Sequence, residues 1–191
     1  MDLLKNRILA DGKALSESVL LVDSFLNHQV DPELMEEIGE EFARLFADAS
    51  VDRIVTIESS GIAPSLMCAR KLGVPMVIMK KQPSSILKSG YIQTEVFSFT
   101  KNSSYNLIMK PHFIKNGENV LIIDDFLANG EAAFGAIRLV EHAGGKVVGV
   151  GAVIAKAFQS GIRKLREAGY RVEALAAISL MNKDVIEFEE V

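Results

Sequence analysis

One cysteine, Cys68, and three histidines, His28, His112 and His142, are all that the 191 residues offer of the usual soft metal ligands. A single thiol excludes an intramolecular disulfide. Cys68 sits among small residues in a helical pattern, where a buried structural thiol is expected rather than a nucleophile. The histidines lie far apart, with no cysteine or acidic partner at ligand spacing, so no metal held by the protein alone is expected. No apolar run is long enough to span a membrane. The first residues, Met1 to Arg7, interrupt their apolar positions with charge and show no signal-peptide core. These absences make the cytoplasm the expected compartment. Basic excess is also missing: 21 Lys and Arg against 25 Asp and Glu give a net charge of −4, which argues against a general nucleic-acid binder.

Apolar residues, by contrast, are plentiful. They make up 49% of the chain, and the mean hydropathy is +0.21. The length suits one α/β domain with a full core. The apolar surplus is expected to cover a subunit interface.

Residues 2–10 read as a helix stopped at Asp11-Gly12, and Val19 to Val22 as a brief strand. Asp31-Pro32-Glu33 is a helix start, with an Asp cap, proline in the first turn and an early acid. Leu34, Ile38, Phe42, Leu45 and Phe46 give that helix its apolar stripe. A βα alternation follows. Strands are predicted at Ile54–Ile57, Met76–Met79, Val120–Ile123, Val147–Ala155 and Ala174–Leu180. Helices are predicted at Ala63–Leu72, after Gly130, and at Ile162–Ala168. Such alternation predicts a doubly wound parallel sheet flanked by helices. The polar insertion at 80–106 lacks a helical pattern. Its alternation from Tyr91 to Phe97 suggests a two-stranded flap.

The most informative stretch is Val120-Leu121-Ile122-Ile123-Asp124-Asp125-Phe126-Leu127-Ala128-Asn129-Gly130-Glu131-Ala132. An apolar strand carries two carboxylates at its end, followed by a Gly-containing turn and a helix with Ala133, Ile137 and Val140 on one face. In an open α/β sheet, ligands sit outside the carboxyl ends of the strands. The turn and the helix N-terminus offer backbone amides to a phosphate, and the acid pair can accept hydrogen bonds from a cis-diol. Together these describe a ribose 5-phosphate site.

This stretch resembles the 5-phosphoribosyl 1-diphosphate (PRPP) motif of type I phosphoribosyltransferases. The resemblance extends over essentially the whole chain and is sharpest between Glu58 and Lys156. It implies the fold of that family, with 1–191 as one domain, 1–30 as a base-covering hood and 80–106 as a flexible flap. Asp124 and Asp125 then take the catalytic place, holding the ribose and stabilising its charge. Ala128, Asn129, Gly130, Glu131 and Ala132 bind PRPP. Many members carry Thr-Gly-Gly-Thr where Asn129-Gly130-Glu131-Ala132 stands here. Two phosphate-binding hydroxyls are therefore missing, backbone amides and Asn129 carry more of the binding, and Glu131 is expected to turn its carboxylate away.

Glu58-Ser59-Ser60-Gly61, at another strand's carboxyl end, resembles the family's pyrophosphate loop, its small residues admitting an anion closely. Lys80 and Lys81, expected at the end of the next strand, are candidates to neutralise pyrophosphate, and two solvated lysines remain the alternative. Lys156 ends a buried strand over the same crevice. In members acting on 6-oxopurines, a lysine at this place reaches the exocyclic oxygen. By resemblance Leu20 and Asn27 belong to the hood and contact the base, although Asn27 is equally well read as a turn residue.

The Ala128-Asn129-Gly130 variant is similar to the subgroup acting on xanthine. That implies transfer of phosphoribose from PRPP to N9 of the base in purine salvage, with Mg²⁺ arriving on PRPP oxygens and a homodimer as the assembly. Hypoxanthine, guanine or adenine remains open as the base. A purine-sensing regulator of the same fold is a further alternative. The acidic run Glu33, Glu36, Glu37, Glu40 and Glu41 offers such a regulator no basic face for DNA.

Overall fold

The computed structural model describes residues 1–82, 90–98, 102–183 and 185–189. Helix α1 spans Asp2–Asp11, and the short strands β1 (Lys13–Ala14) and β2 (Leu20–Leu21) pair antiparallel. A tight helical turn, Asp23–Asn27, leads to α2 (Pro32–Leu45). The start of α2 follows its sequence signature: Asp31 accepts a hydrogen bond from Leu34 N at 3.2 Å, and Pro32 occupies the first turn, where its missing N–H is no loss.

The main sheet then forms from β3 (Arg53–Ile57), β4 (Met76–Gln82), β5 (Ile92–Ser98), β6 (Ser103–Met109), β7 (Asn119–Leu127), β8 (Lys146–Lys156), β9 (Val172–Met181) and β10 (Ile186–Glu189). Between them run α3 (Ile62–Leu72), α4 (Glu131–His142) and α5 (Gly161–Glu167). The strand order is β10-β9-β8-β7-β3-β4-β6-β5. The five central strands, β9, β8, β7, β3 and β4, are mutually parallel.

Alternate residues of each strand feed opposite cores. Ile54, Leu121 and Ile123 pack with α1, α2 and α3. Val55, Ile57, Val120 and Ile122 pack with Ala133, Ile137 and Val140 of α4, and with Ile162 and Leu165 of α5. Helices therefore cover both faces, as continuous apolar strands demand. Cys68 is fully buried in the first core, and that burial pushes its thiol up to about 12.

Taking the parallel strands alone in chain order, the second lies outside the first, and the third, fourth and fifth run out on the other side. The chain thus reverses direction between β3 and β7. Helix α3 leaves β3 on one face and α4 leaves β7 on the other. This switch point opens a crevice at the carboxyl ends of β3 and β7, where open α/β sheets bind ligands.

The parallel core carries antiparallel strands at both edges. The sheet is mixed: β10 returns antiparallel to β9, and the hairpin β5–β6 joins β4 antiparallel at Lys80↔Ile108 and Lys81↔Leu107. Lys80 and Lys81 therefore lie inside β4, because pairing with the hairpin carries that strand past Met79. The described part of the 80–106 insertion is an extension of the sheet. Val96 and Leu107 are buried against α4, and Arg138 of α4 donates to Thr94 Oγ1 at 3.0 Å and to the Glu95 carbonyl at 3.1 Å. Residues 83–89 and 99–101 of that insertion lie outside the described residues. Finally, β7 continues through both aspartates to Leu127, paired with β8 at Asp124↔Ala152 and Phe126↔Ile154.

Candidate active site

The loop after β7 is shaped by two glycines. Gly130 caps α4 with φ 89°, a left-handed backbone that side chains rarely adopt. Gly161 packs directly under the loop, its N–H donating to the Ala128 carbonyl at 2.9 Å. A methyl at Gly161 would run into that same carbonyl oxygen. Ser160 Oγ also reaches Asn129 Oδ1 at 3.5 Å. The first amides of α4 have no partner within the helix and carry its positive dipole end, so Ala128 to Ala132 form an anion cradle. Glu131 pairs its carboxylate with Lys164 Nζ at 3.6 Å.

Both aspartates are half-buried on β7. Asp124 Oδ1 accepts from Asp125 N at 3.0 Å, and Asp125 Oδ1 from Phe126 N at 2.9 Å. Burial raises Asp124 well above the ordinary carboxylate range, the charge of Asp125 adds to the rise, and Lys81 opposes it. Two adjacent carboxylates share this position only with difficulty, so an arriving cation or hydroxyl donor relieves the pair.

The loop after β3 closes against the same strand. A Cβ on Gly61 would lie 2.5 Å from Thr56 Oγ1 and 3.0 Å from Asp124 Oδ1, so only glycine lets it reach the acid. The Glu58–Ser59 peptide is cis. Glu58 itself faces β4, with Oε1 accepting from Lys81 N at 2.6 Å and Oε2 pairing with Lys80 Nζ at 3.2 Å.

A cavity of about 420 Å³ is lined by Lys81, Lys156 and the loop from Phe126 to Ala133. Of the two lysines considered, Lys81 faces this cavity, its ammonium 5.7 Å from the Tyr105 ring centroid, whereas Lys80 lines a hollow elsewhere. Lys156 stands at the opposite end, 5.4 Å from the Phe126 ring centroid, and donates to the Ser18 carbonyl at 2.6 Å. Burial lowers its pKa, and the charge of Asp125 works against that.

The structure thus brings Lys81, Lys156 and residues 128–132 together around one cavity, whereas Asp124, Asp125 and residues 58–61 are not among its lining residues and are linked to one another by the close approach of Gly61 to Asp124. Leu20 is buried within the amino-terminal core and Asn27 is exposed in its helical turn. Neither lines the cavity, where the adjacent Ser18 and Val19 stand instead. Tyr105, Gln159 and Gly161 went unnoticed in the sequence. Tyr105 lines the cavity from the hairpin, its phenol pushed up to about 12 by burial and by the charge of Asp124.

An amide-lined helix cap beside strand-end carboxylates, at the switch point of a parallel sheet, defines a class: an α/β protein handling a phosphorylated sugar. More particularly, the chain belongs to the phosphoribosyltransferase family, since the model of the phosphoribosyl transferase domain matches residues 27–172. It is 55% identical over 188 residues to xanthine phosphoribosyltransferase 1 of Clostridium botulinum (strain Hall), covering 98% of this chain and 99% of that one. It is 53% identical over 191 residues to a xanthine phosphoribosyltransferase of Exiguobacterium sp., covering 100% and 99%. Among solved structures, an adenine phosphoribosyltransferase of Thermoanaerobacter pseudethanolicus superposes with a TM-score of 0.74 at 21% identity, covering 91% of this chain and 99% of that one. At that identity the likeness is one of fold.

Gly161→Ala is expected to displace the loop at Ala128–Gly130 and to cost about 1–3 kcal/mol of stability, the usual penalty of overpacking. Chemical denaturation and the amide resonances of Ala128 and Gly130 test this. Unchanged resonances would show that α5 does not set the loop.

Proposed function

We propose that the protein transfers the 5-phosphoribosyl group of PRPP to N9 of xanthine, giving xanthosine 5′-monophosphate and pyrophosphate in purine salvage. The observation that carries this reading is the cavity's polarity: an anion cradle at one end, and at the other an ammonium already bonded to a carbonyl oxygen. The near full-length likeness to xanthine phosphoribosyltransferases supports the choice of base.

In this reading the amides of Ala128 to Ala132, with Asn129, hold the 5′-phosphate. The loop Glu58 to Gly61 and Lys81 receive the diphosphate, with Glu58 orienting the loop through β4. Asp124 and Asp125 accept from the ribose hydroxyls. As the C1–O bond to pyrophosphate breaks and the bond to N9 forms, positive character develops on the ribose ring. The acid pair stabilises it, the incoming cationic and hydroxyl groups favouring its ionised form. Lys156 leaves Ser18 for the exocyclic oxygen of the base, an acceptor that adenine does not supply. The segment 1–30, with Leu20 and Asn27, closes over the base as a hood, and the hairpin of the 80–106 region roofs the phosphate side, all within one domain.

Phosphoribosyltransferases generally use Mg²⁺ with PRPP. Asp124 and Asp125 are suitable hard oxygen donors. No cluster of three or more His, Cys, Asp or Glu is positioned to hold a metal among the described residues, so these two would meet an ion that travels on the diphosphate, whose charge it neutralises.

Incubating the protein with PRPP, Mg²⁺ and each purine base in turn tests the reaction. Xanthine should yield its nucleotide most efficiently, and Asp124→Asn with Asp125→Asn should abolish turnover in a folded protein. Near wild-type activity in that double variant would sink the site assignment.

Lys156→Ala should lower kcat/KM for xanthine by about one to two decades, the equivalent of one charge-assisted hydrogen bond of roughly 1.5–3 kcal/mol. PRPP binding should change only a few fold. Loss of PRPP binding with base choice intact would instead place Lys156 in the phosphate site.

Exposed apolar side chains such as Leu66, 50% exposed, and Phe113, 49% exposed, support a cytoplasmic homodimer that covers part of this surface. Light scattering at micromolar concentration should return a dimer mass, and a monomer mass would remove the claim.

A further inference from the structure

The anion cradle carries an anion of its own. Glu131 is the first residue of α4 and lines the cavity beside Ala128, Asn129 and Gly130. A carboxylate in the first turn favours the helix itself, because it meets the positive end of the helix dipole. It disfavours a phosphate bound by the same amides, since two like charges then compete for one pole.

Helix α5 supplies the countercharge. Lys164 Nζ stands 3.6 Å from Glu131 Oε1. The other two cations of that helix are engaged elsewhere. Arg163 pairs with Glu167 at 3.1 Å within α5, and Arg166 donates to the Val172 carbonyl at 3.2 Å. The backbone fixes where Lys164 stands. Its N–H donates to the Ser160 carbonyl at 2.9 Å, and Gly161 N donates to the Ala128 carbonyl at 2.9 Å. The first turn of α5 is therefore fastened to the phosphate loop and carries the lysine with it. A Cβ at Gly130 would lie 3.3 Å from Gly161 Cα, so the two helix starts are in contact.

Stability does not account for the pair. Its side chains are 42% and 37% exposed, and ion pairs so open to water add little to folding. Its place on the cavity wall has an electrostatic consequence instead. With Lys164 beside it, Glu131 presents a neutral pair to an incoming phosphate rather than a net negative charge.

We propose that Lys164 is a positioning residue for the 5′-phosphate of PRPP and acts through Glu131. Its ammonium cancels the carboxylate and holds it toward α5, which keeps the amides of Ala128 to Ala132 available to the phosphate. This rests on the phosphoribosyl-transfer reading above. Lys164 itself contacts neither the sugar nor the base, and its effect vanishes once position 131 carries no charge.

Titration calorimetry of the full chain with PRPP and Mg²⁺, joined to steady-state kinetics on xanthine, tests this in a double-mutant cycle of Lys164→Ala and Glu131→Gln. Lys164→Ala should weaken PRPP binding by about tenfold, the effect of one uncompensated charge near a phosphate in a partly solvated site. The KM of xanthine at saturating PRPP should stay within about twofold. Lys164→Arg keeps the charge and should hold PRPP binding within about twofold of wild type. Measured in the Glu131→Gln background, Lys164→Ala should cost no more than about twofold. The penalty of Lys164→Ala should also shrink as salt is raised, because exposed charges are screened. A lysine that merely braced α5 would lower the melting temperature and cost as much with Gln at position 131 as with Glu. A lysine that touched the phosphate directly would likewise keep its penalty there. Either result, or unchanged PRPP binding in Lys164→Ala, would overturn the proposal. A wild-type protein that binds no PRPP at all is a separate result, removing the transfer reading and the inference with it.

Discussion

The contact between Gly61 and Asp124 is the constraint on which the site depends. Strands β3 and β7 are parallel neighbours, paired at Ile54↔Leu121 and Val55↔Ile122, so their carboxyl ends finish side by side. The loop after β3 can then fold onto the acid of β7, but only where no side chain intervenes: a Cβ at Gly61 would meet both Thr56 Oγ1 and Asp124 Oδ1. That approach places a backbone turn able to receive one anion beside a carboxylate suited to a sugar. The same strand leads on to a second anion cradle. In the proposed reading, a ligand with phosphate groups at both ends of a ribose lies along this short line.

The second support is less direct. Phosphate-loop geometry is usually attributed to the loop's own residues, and here the two threonines common in the family are replaced by Asn129 and Ala132. The structure supplies stiffness from outside the loop instead. The start of α5 sits so close beneath Ala128 that Gly161 tolerates no side chain, and its amide ties down the Ala128 carbonyl. A cradle held from below keeps its amides oriented without those hydroxyls, and preorganised donors lose little on binding an anion.

Electrostatics distinguishes the two ends of the cavity. Near the acid pair, burial and mutual repulsion hold Asp124 toward its protonated form, with Lys81 as a partial counterweight. At the far end burial lowers the pKa of Lys156 while Asp125 supports its charge, and the ammonium seeks a neutral carbonyl. Aspartates lying between two ammonium groups make one connected electrostatic system. The hairpin adds Tyr105 to it, since Arg138 and the burial of Val96 hold that hairpin against the helix of the phosphate loop.

The sequence by itself determined the parallel core, the helix caps and the chemistry of the motif strand. Each of these depends on residues close together in the chain: Asp31 with Pro32, the run Val120 to Ile123, Asp124 beside Asp125, and glycine at position 130. Periodicity also separated the faces of α2 and α4 correctly. Tertiary structure decided what depends on neighbours from elsewhere in the chain. It extended β4 through Lys81 by pairing it with β6, turned that lysine into the cavity and Lys80 out of it, and brought Ser18 of the amino-terminal segment onto Lys156. It added β10 at the edge of the sheet and set Gly161 beneath a loop thirty-odd residues earlier in the chain. No local pattern records such meetings, because a side chain's partner across a sheet is fixed by register and crossover rather than by its own flanking residues.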